Sequence, residues 1–133
     1  MQFLEPIIGG IAAFLVGFLW YTTLFGKQWQ ALTGMSDEDA KKDMARTHGL
    51  SLLMMIIMSF ALNTFVINAH PAELQTFGHG MFHGAMIGVF YAATSTAINY
   101  LYQRKSIKLW LIDAGYQIVM LAVSGGVMAA LSI

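Results

Sequence analysis

Four long apolar runs, roughly 3–25, 48–69, 79–102 and 109–132, constrain this chain more than any other feature. Each matches the roughly 20 residues that a helix, rising about 1.5 Å per residue, needs to cross a hydrocarbon core. Open strands offer no substitute, because every unpaired backbone group in lipid costs several kcal/mol. The runs predict an all-α, integral membrane four-helix bundle, antiparallel and up-down, as a single domain over residues 1–133. Composition agrees. Of 133 residues 57% are hydrophobic and 11% charged, whereas a soluble domain carries about 25% charged residues.

The charges predict an orientation. Lys27, Lys41, Lys42 and Arg46 lie in the first connection (26–47), and Arg104, Lys105 and Lys108 in the third (103–108). The leader and the second connection (70–78) hold no Lys or Arg. Short basic loops stay in the cytoplasm, so both termini are expected outside, N-out/C-out, in the cell's inner (plasma) membrane. Trp20, Tyr21, Trp29, Tyr100, Tyr102 and Trp110 gather at the inner ends, where amphipathic rings prefer the interface. A cleaved signal peptide is the rival reading of the first run. That run lacks a basic leader and a small-x-small site before Tyr21, and it is too long.

Several functions are excluded. Seven basic and seven acidic residues balance, leaving no basic surface for nucleic acid. Cysteine is absent, which removes disulfides, thiolate metal sites and cysteine nucleophiles. No nucleophile, base and orienting group can be assembled, so neither enzyme activity nor a cofactor is expected.

In the first connection, Ser36 and Asp39 form a capping-box pattern. Asp37 with Lys41, and Glu38 with Lys42, stand at the spacing of helical ion pairs. A short cytoplasmic helix over 37–46 is expected. Its charged face is either solvated or a docking surface, and balanced exposed pairs need no partner.

Small residues recur at four-residue spacing: Gly9, Ala13, Gly17; Gly80, Gly84, Gly88, Ala92; and Ala122, Gly126, Ala130. Such ridges let membrane helices approach closely. Three of them exceed one internal seam, which points to a homo-oligomer, with a dimer as the commonest closed assembly. The plainer alternative is a tightly packed monomer.

Polar residues form stripes as well. The third run carries His79, His83, Tyr91, Ser95 and Asn99, interrupted by Ile87; the second Ser51, Ser59 and Asn63; the fourth Asp113, Gln117 and Ser124. Residues four apart share a helix face, and polar groups in lipid turn inward to find partners. The stripes are expected to line the bundle interior or a subunit interface, as a hydrated path or as plain interhelical hydrogen bonds. Asp113, five residues or roughly 7 Å past Lys108, is costly at that depth and a candidate functional group. The structural alternative pairs it with Arg104, Lys105 or Lys108. At the other end, His79 and His83, near His70, Glu5 and Glu73, have the H-x-x-x-H spacing that can hold a metal, with Met81 and Met86 as soft donors. Interfacial hydrogen bonding is the alternative.

Leu19–Trp29 reads Leu-Trp-Tyr-Thr-Thr-Leu-Phe-Gly-Lys-Gln-Trp and resembles W-Y-[ST]-P-x-F-G-x-x-W, the signature of a small-membrane-protein family. Asn99–Tyr116, Asn-Tyr-Leu-Tyr-Gln-Arg-Lys-Ser-Ile-Lys-Leu-Trp-Leu-Ile-Asp-Ala-Gly-Tyr, carries the second matching stretch. The family is the one known as domain of unknown function 1761, and the likeness spans essentially the whole chain. Thr23 stands where the family often has proline. The resemblance implies a bacterial four-helix membrane protein and brings no activity with it. It directs interest to Trp20, Tyr21, Phe25, Gly26, Lys108, Asp113 and Tyr116.

The leading functional expectation is an oligomeric transporter or channel-like protein for a small solute or ion. It would use Asp113, Asn99, Tyr116, Gln117, Lys108, Tyr21, Trp20, Ser95, Tyr91 and Asn63. No repeated half with broken helices, common among transporters, supports it. An accessory protein acting through helix assembly, and a metal-binding protein built on His79 and His83, are the alternatives.

Overall fold

The computed structural model describes residues 3–132. Four helices are long and apolar enough to cross a membrane: Leu4–Leu24, Met44–Ile67, Phe77–Tyr102 and Ile107–Leu131. No strand occurs among the described residues. The second helix begins at Met44, upstream of the apolar run, because hydropathy marks the hydrocarbon and not the turn that reaches into the headgroups.

The fourth helix is the hub. Over its most apolar stretch 56% of the residues are buried, against 17–22% in the other three. The third helix packs on one side of it and the first on another, while the second leans mainly on the first. The second meets the fourth mostly through its last turns, so its opening half splays away. A bundle built this way is closed at one end and open at the other.

Small residues make these contacts possible, since lipid offers no hydrophobic drive between helices and close backbone approach must supply dispersion energy. Gly80 and Gly84 lie against the backbone of Gly125 and Leu121, and Gly88 against Ile118. On the first helix a Cβ at Gly9 would stand 2.8 Å from the Met128 side chain, and one at Gly10 2.8 Å from the Ile56 Cα. The ridges credited to self-association are thus largely taken up inside the chain. On the fourth helix the ridge is also one residue out of the expected register: Leu121, Gly125 and Ala129 form the close seam, and Ala130 is exposed.

Three segments wind as π-helix, Trp20–Leu24, Asn63–Ile67 and Gly88–Ala93. Each π turn holds an extra residue, which rotates everything after it by roughly 100° relative to a continuous α-helix. In the third helix this moves the inward face from Gly80, Gly84 and Gly88 to Ala93, Thr96 and Tyr100. Tyr91, Ser95 and Asn99 consequently face outward, with Tyr91 71% exposed. They do not line the interior of the single chain, which leaves a subunit interface as the other expected placement.

The first connection is more structured than its sequence suggests. A helix Gly26–Thr33 follows the first membrane helix after a bend at Phe25 and turns Trp29, Gln30 and Leu32 inward. Gly34 stops it in the left-handed conformation, φ 70°. Ser36 then caps Asp37–Lys41 by accepting from the Asp39 amide at 3.1 Å, as its sequence position predicts. That helix ends at Lys41, not at residue 46, because Asp43 turns left-handed (φ 53°) before the second membrane helix starts. Asp37 accepts from Gln30 Nε2 at 3.0 Å in place of the predicted Lys41 pair.

Two glycines test the seams. Gly84→Ala drives a Cβ into the Leu121 carbonyl and is expected to cost about 1–3 kcal/mol of stability. Gly49, helical with open space around it, is expected to gain about 0.5–1 kcal/mol on the same change. Thermal unfolding in detergent separates the two; equal effects would contradict the packing described.

Candidate functional site

At the open end, where the second and third helices diverge, lies a cavity of about 800 Å³. The first helix contributes Phe18 and Tyr21, the second Ser51 and Met55, the third Tyr100, and the fourth Asp113, Tyr116 and Gln117. The first connection folds over its mouth and adds Trp29, Asp37, Asp39, Lys41 and Lys42.

Asp113 sits six residues into the fourth helix, roughly 9 Å along its axis, and is only 9% exposed. A carboxylate there must be hydrogen-bonded to be tolerated. Tyr21 donates its hydroxyl to Oδ1 at 2.5 Å, and Tyr100 donates to Oδ2. These phenols take the role expected of Arg104, Lys105 or Lys108. Lys108 is exposed at the start of the fourth helix. Lys105 acts one step removed, its Nζ lying 4.6 Å above the Tyr100 ring. The third helix reverses just there: Lys105 and Arg104 donate backbone N–H to Tyr100 and Leu101, with Arg104 left-handed at φ 55°. Those two bonds form a Schellman closure, which brings Lys105 back over the ring.

The π turn at Trp20–Leu24 lets neighbouring residues of the first helix reach neighbouring residues of the fourth. Trp20 Nε1 donates to the Ile112 carbonyl at 3.0 Å while Tyr21 bonds Asp113. The Trp20 indole covers Gly115, and Phe25 lies against it at 4.8 Å between centroids. Gly26 is required at its position, since a Cβ would stand 2.6 Å from the Tyr21 carbonyl oxygen. The Tyr21 ring meets Trp29 and Tyr116 edge-on at 5.7 and 5.1 Å, an arrangement aromatic rings favour. Gly17 makes room for the Tyr116 ring, and the Tyr116 hydroxyl rests on Met55 Sδ at 3.8 Å. Trp110 closes the far side by donating to the Ala93 carbonyl at the end of a π turn, 3.0 Å away.

Of the residues singled out by sequence, Asp113, Tyr116, Gln117, Tyr21 and Trp20 come together here. Asn99, Ser95 and Tyr91 face away, and Lys108 stands outside. Asn63 lies towards the opposite end, 1% exposed, donating to Glu5 at 3.4 Å with its Oδ1 unpartnered. Sequence position marks Tyr100 and Trp29 only as interface anchors. A tyrosine on each matching stretch was the available signal for pairing with the one deep carboxylate.

Beyond Tyr116 the interior is solid. Ser59 and Ser124 bond each other at 2.9 Å, and Met120, Leu121 and Met128 fill the space around the helices. At the closed end His70, His79 and His83 converge, with His79 and His83 in contact through Nε2 at 3.0 Å. Glu5 and Glu73 are not in this cluster.

A polytopic all-α membrane protein, with a buried carboxylate beneath an end-facing cavity, is the class that fold and site define. The chain belongs to the family described as Protein of unknown function (DUF1761), matched over residues 5–129. Comparison with curated proteins and with solved structures gives no match.

If the two phenols hold the carboxylate, Tyr21→Phe costs about 1.5–3 kcal/mol, the range for a hydrogen bond to a charged group. In an Asp113→Ala background the same change costs little, giving a double-mutant coupling above about 1 kcal/mol. Additive effects in thermal or denaturant unfolding would show that the pair does not interact.

Proposed function

We propose that this protein is a membrane carrier for a small solute with a cationic or N–H-donating head, bound above Asp113 and reached from the cytoplasm. The observation that carries the reading is a buried carboxylate at the floor of a cavity of about 800 Å³. That volume falls in the range of small-molecule sites, about 300–1,000 Å³. A carboxylate offers about four lone-pair positions. Tyr21 and Tyr100 occupy two, leaving Asp113 able to accept from a ligand. The rings of Tyr21, Tyr116 and Trp29 beside it can face a cation. Lys27, Lys41 and Lys42 along the lining are offset by Asp37, Asp39 and Asp113, so the cavity as a whole carries no strong bias of sign.

The solid interior past Tyr116 favours a carrier that changes conformation over an open channel. The basic first and third connections favour a cytoplasmic mouth, since short basic loops are retained on that side. On this reading the protein lies in the inner membrane with both termini outside.

Binding of a panel of small primary and quaternary amines to purified protein, followed by flux into liposomes, tests the reading. Asp113→Asn is expected to weaken the amine that binds best by about 10–100-fold, the equivalent of a charge-assisted hydrogen bond. Ser51→Trp, which fills the cavity while leaving Asp113 intact, is expected to abolish binding. Failure of every amine to bind the wild type, or binding indifferent to both changes, contradicts the assignment.

We also propose self-association as a dimer through the outward stripe Tyr91–Ser95–Asn99. Polar side chains facing lipid gain from hydrogen-bonding across helices, and among the described residues these three find no side-chain partner. A second copy presents the same groups about a two-fold axis. Ser95→Cys is expected to crosslink into dimers in native membranes, and Leu15→Cys, exposed on the first helix, is not. The reverse pattern places the contact elsewhere.

A further inference from the structure

We propose that His70, His79 and His83 form a binding site for one divalent transition-metal ion of the zinc class, at the end of the bundle opposite the cavity. One ring nitrogen from each of the three falls within 4.8 Å of the others, and the three ring centroids lie 4.3–4.8 Å apart. A tetrahedral ion with nitrogen ligands at about 2.0–2.1 Å would set them roughly 3.3 Å apart. The His79 and His83 Nε2 atoms already stand 3.0 Å apart, so small side-chain rotations complete the set.

The His70 ring is held by a hydrogen bond of its own, and His79 and His83 are brought together by their spacing on one helix. His79 and His83 are one turn apart on the third helix, whose start Thr76 caps by accepting from the His79 amide at 3.3 Å. His70 comes from the second connection. Its Nδ1 lies 2.8 Å from the Val66 carbonyl, which can only accept, so Nδ1 carries the hydrogen and Nε2 keeps its lone pair. A histidine that donates one ring N–H to a backbone carbonyl is the usual outer support of a metal ligand. Gln75 fixes the same loop by donating to the His70 carbonyl at 2.8 Å.

The chemistry also argues against a purely structural cluster. No carboxylate belongs to the group, so nothing acidic in it would compensate a charged imidazolium. Three neutral imidazoles can satisfy only part of one another's hydrogen bonding, whereas a cation engages all three lone pairs at once. Three nitrogen ligands leave a fourth position open to water. The ion would tie the end of the second helix to the start of the third.

The test uses the full chain in detergent, purified with a tag free of histidine, stripped with chelator and titrated with Zn(II) alone. One equivalent is expected to bind and to raise the unfolding temperature. His70→Ala, His79→Ala and His83→Ala are each expected to weaken binding by at least about tenfold. His48→Ala, whose ring packs against Phe14 at the other end, is expected to change nothing. Zinc X-ray absorption of the wild type, which requires no variant to fold, is expected to report three imidazole nitrogens. Less than stoichiometric zinc, affinity unchanged in the three variants, or fewer than three imidazoles at the metal would each overturn the proposal.

Discussion

The helices of this chain are solvated by oil, so burying a leucine against a leucine gains almost nothing that lipid does not already give. What remains is close backbone approach and polar groups that must find one another. The fourth helix supplies both. Its Leu121–Gly125–Ala129 seam meets the glycines of the third helix, and Gly9 of the first lies against its Ser124 and Met128. Because the second helix reaches this hub mainly by its last turns, a tight end and an open end follow from one packing arrangement.

The open end is where the chemistry collects. Two stretches far apart in sequence, around Trp20–Trp29 and Tyr100–Tyr116, converge on one carboxylate through Tyr21 and Tyr100. Residues that look like interface anchors in sequence have specific partners here: Trp20 the Ile112 carbonyl, Trp110 the Ala93 carbonyl, Lys105 the Tyr100 ring. The helix Gly26–Thr33 follows the first membrane helix after a single bend at Phe25 and sets Trp29 edge-on to the Tyr21 ring, so one segment builds both the floor and part of the roof.

The sequence made the four crossings legible because apolar length is a collective signal that no single residue can spoil. Ser36 as a cap and Asp113 as an inward group were equally readable, the first from local hydrogen bonding and the second from the cost of a carboxylate in lipid. Register was not. A π turn inserts one residue without any marker in composition, and that single insertion turned Tyr91, Ser95 and Asn99 outward while bringing Tyr100 in. The seam on the fourth helix went astray by one position because Gly125 and Gly126 are adjacent, and small-residue spacing cannot choose between them. His70 was visible beside His79 and His83, but its orientation depends on the Val66 carbonyl, which no pattern reveals.

Single cysteines probe the central claim cleanly, because the chain has none of its own. Cysteines placed at Asp39, Glu73 and Gln103, one in each connection, can be labelled in intact cells with a membrane-impermeant maleimide and again after lysis. Four crossings with basic connections inside require Glu73→Cys to react from outside and the other two only after lysis. Labelling of all three from one side, or of Asp39→Cys in intact cells, would contradict the account.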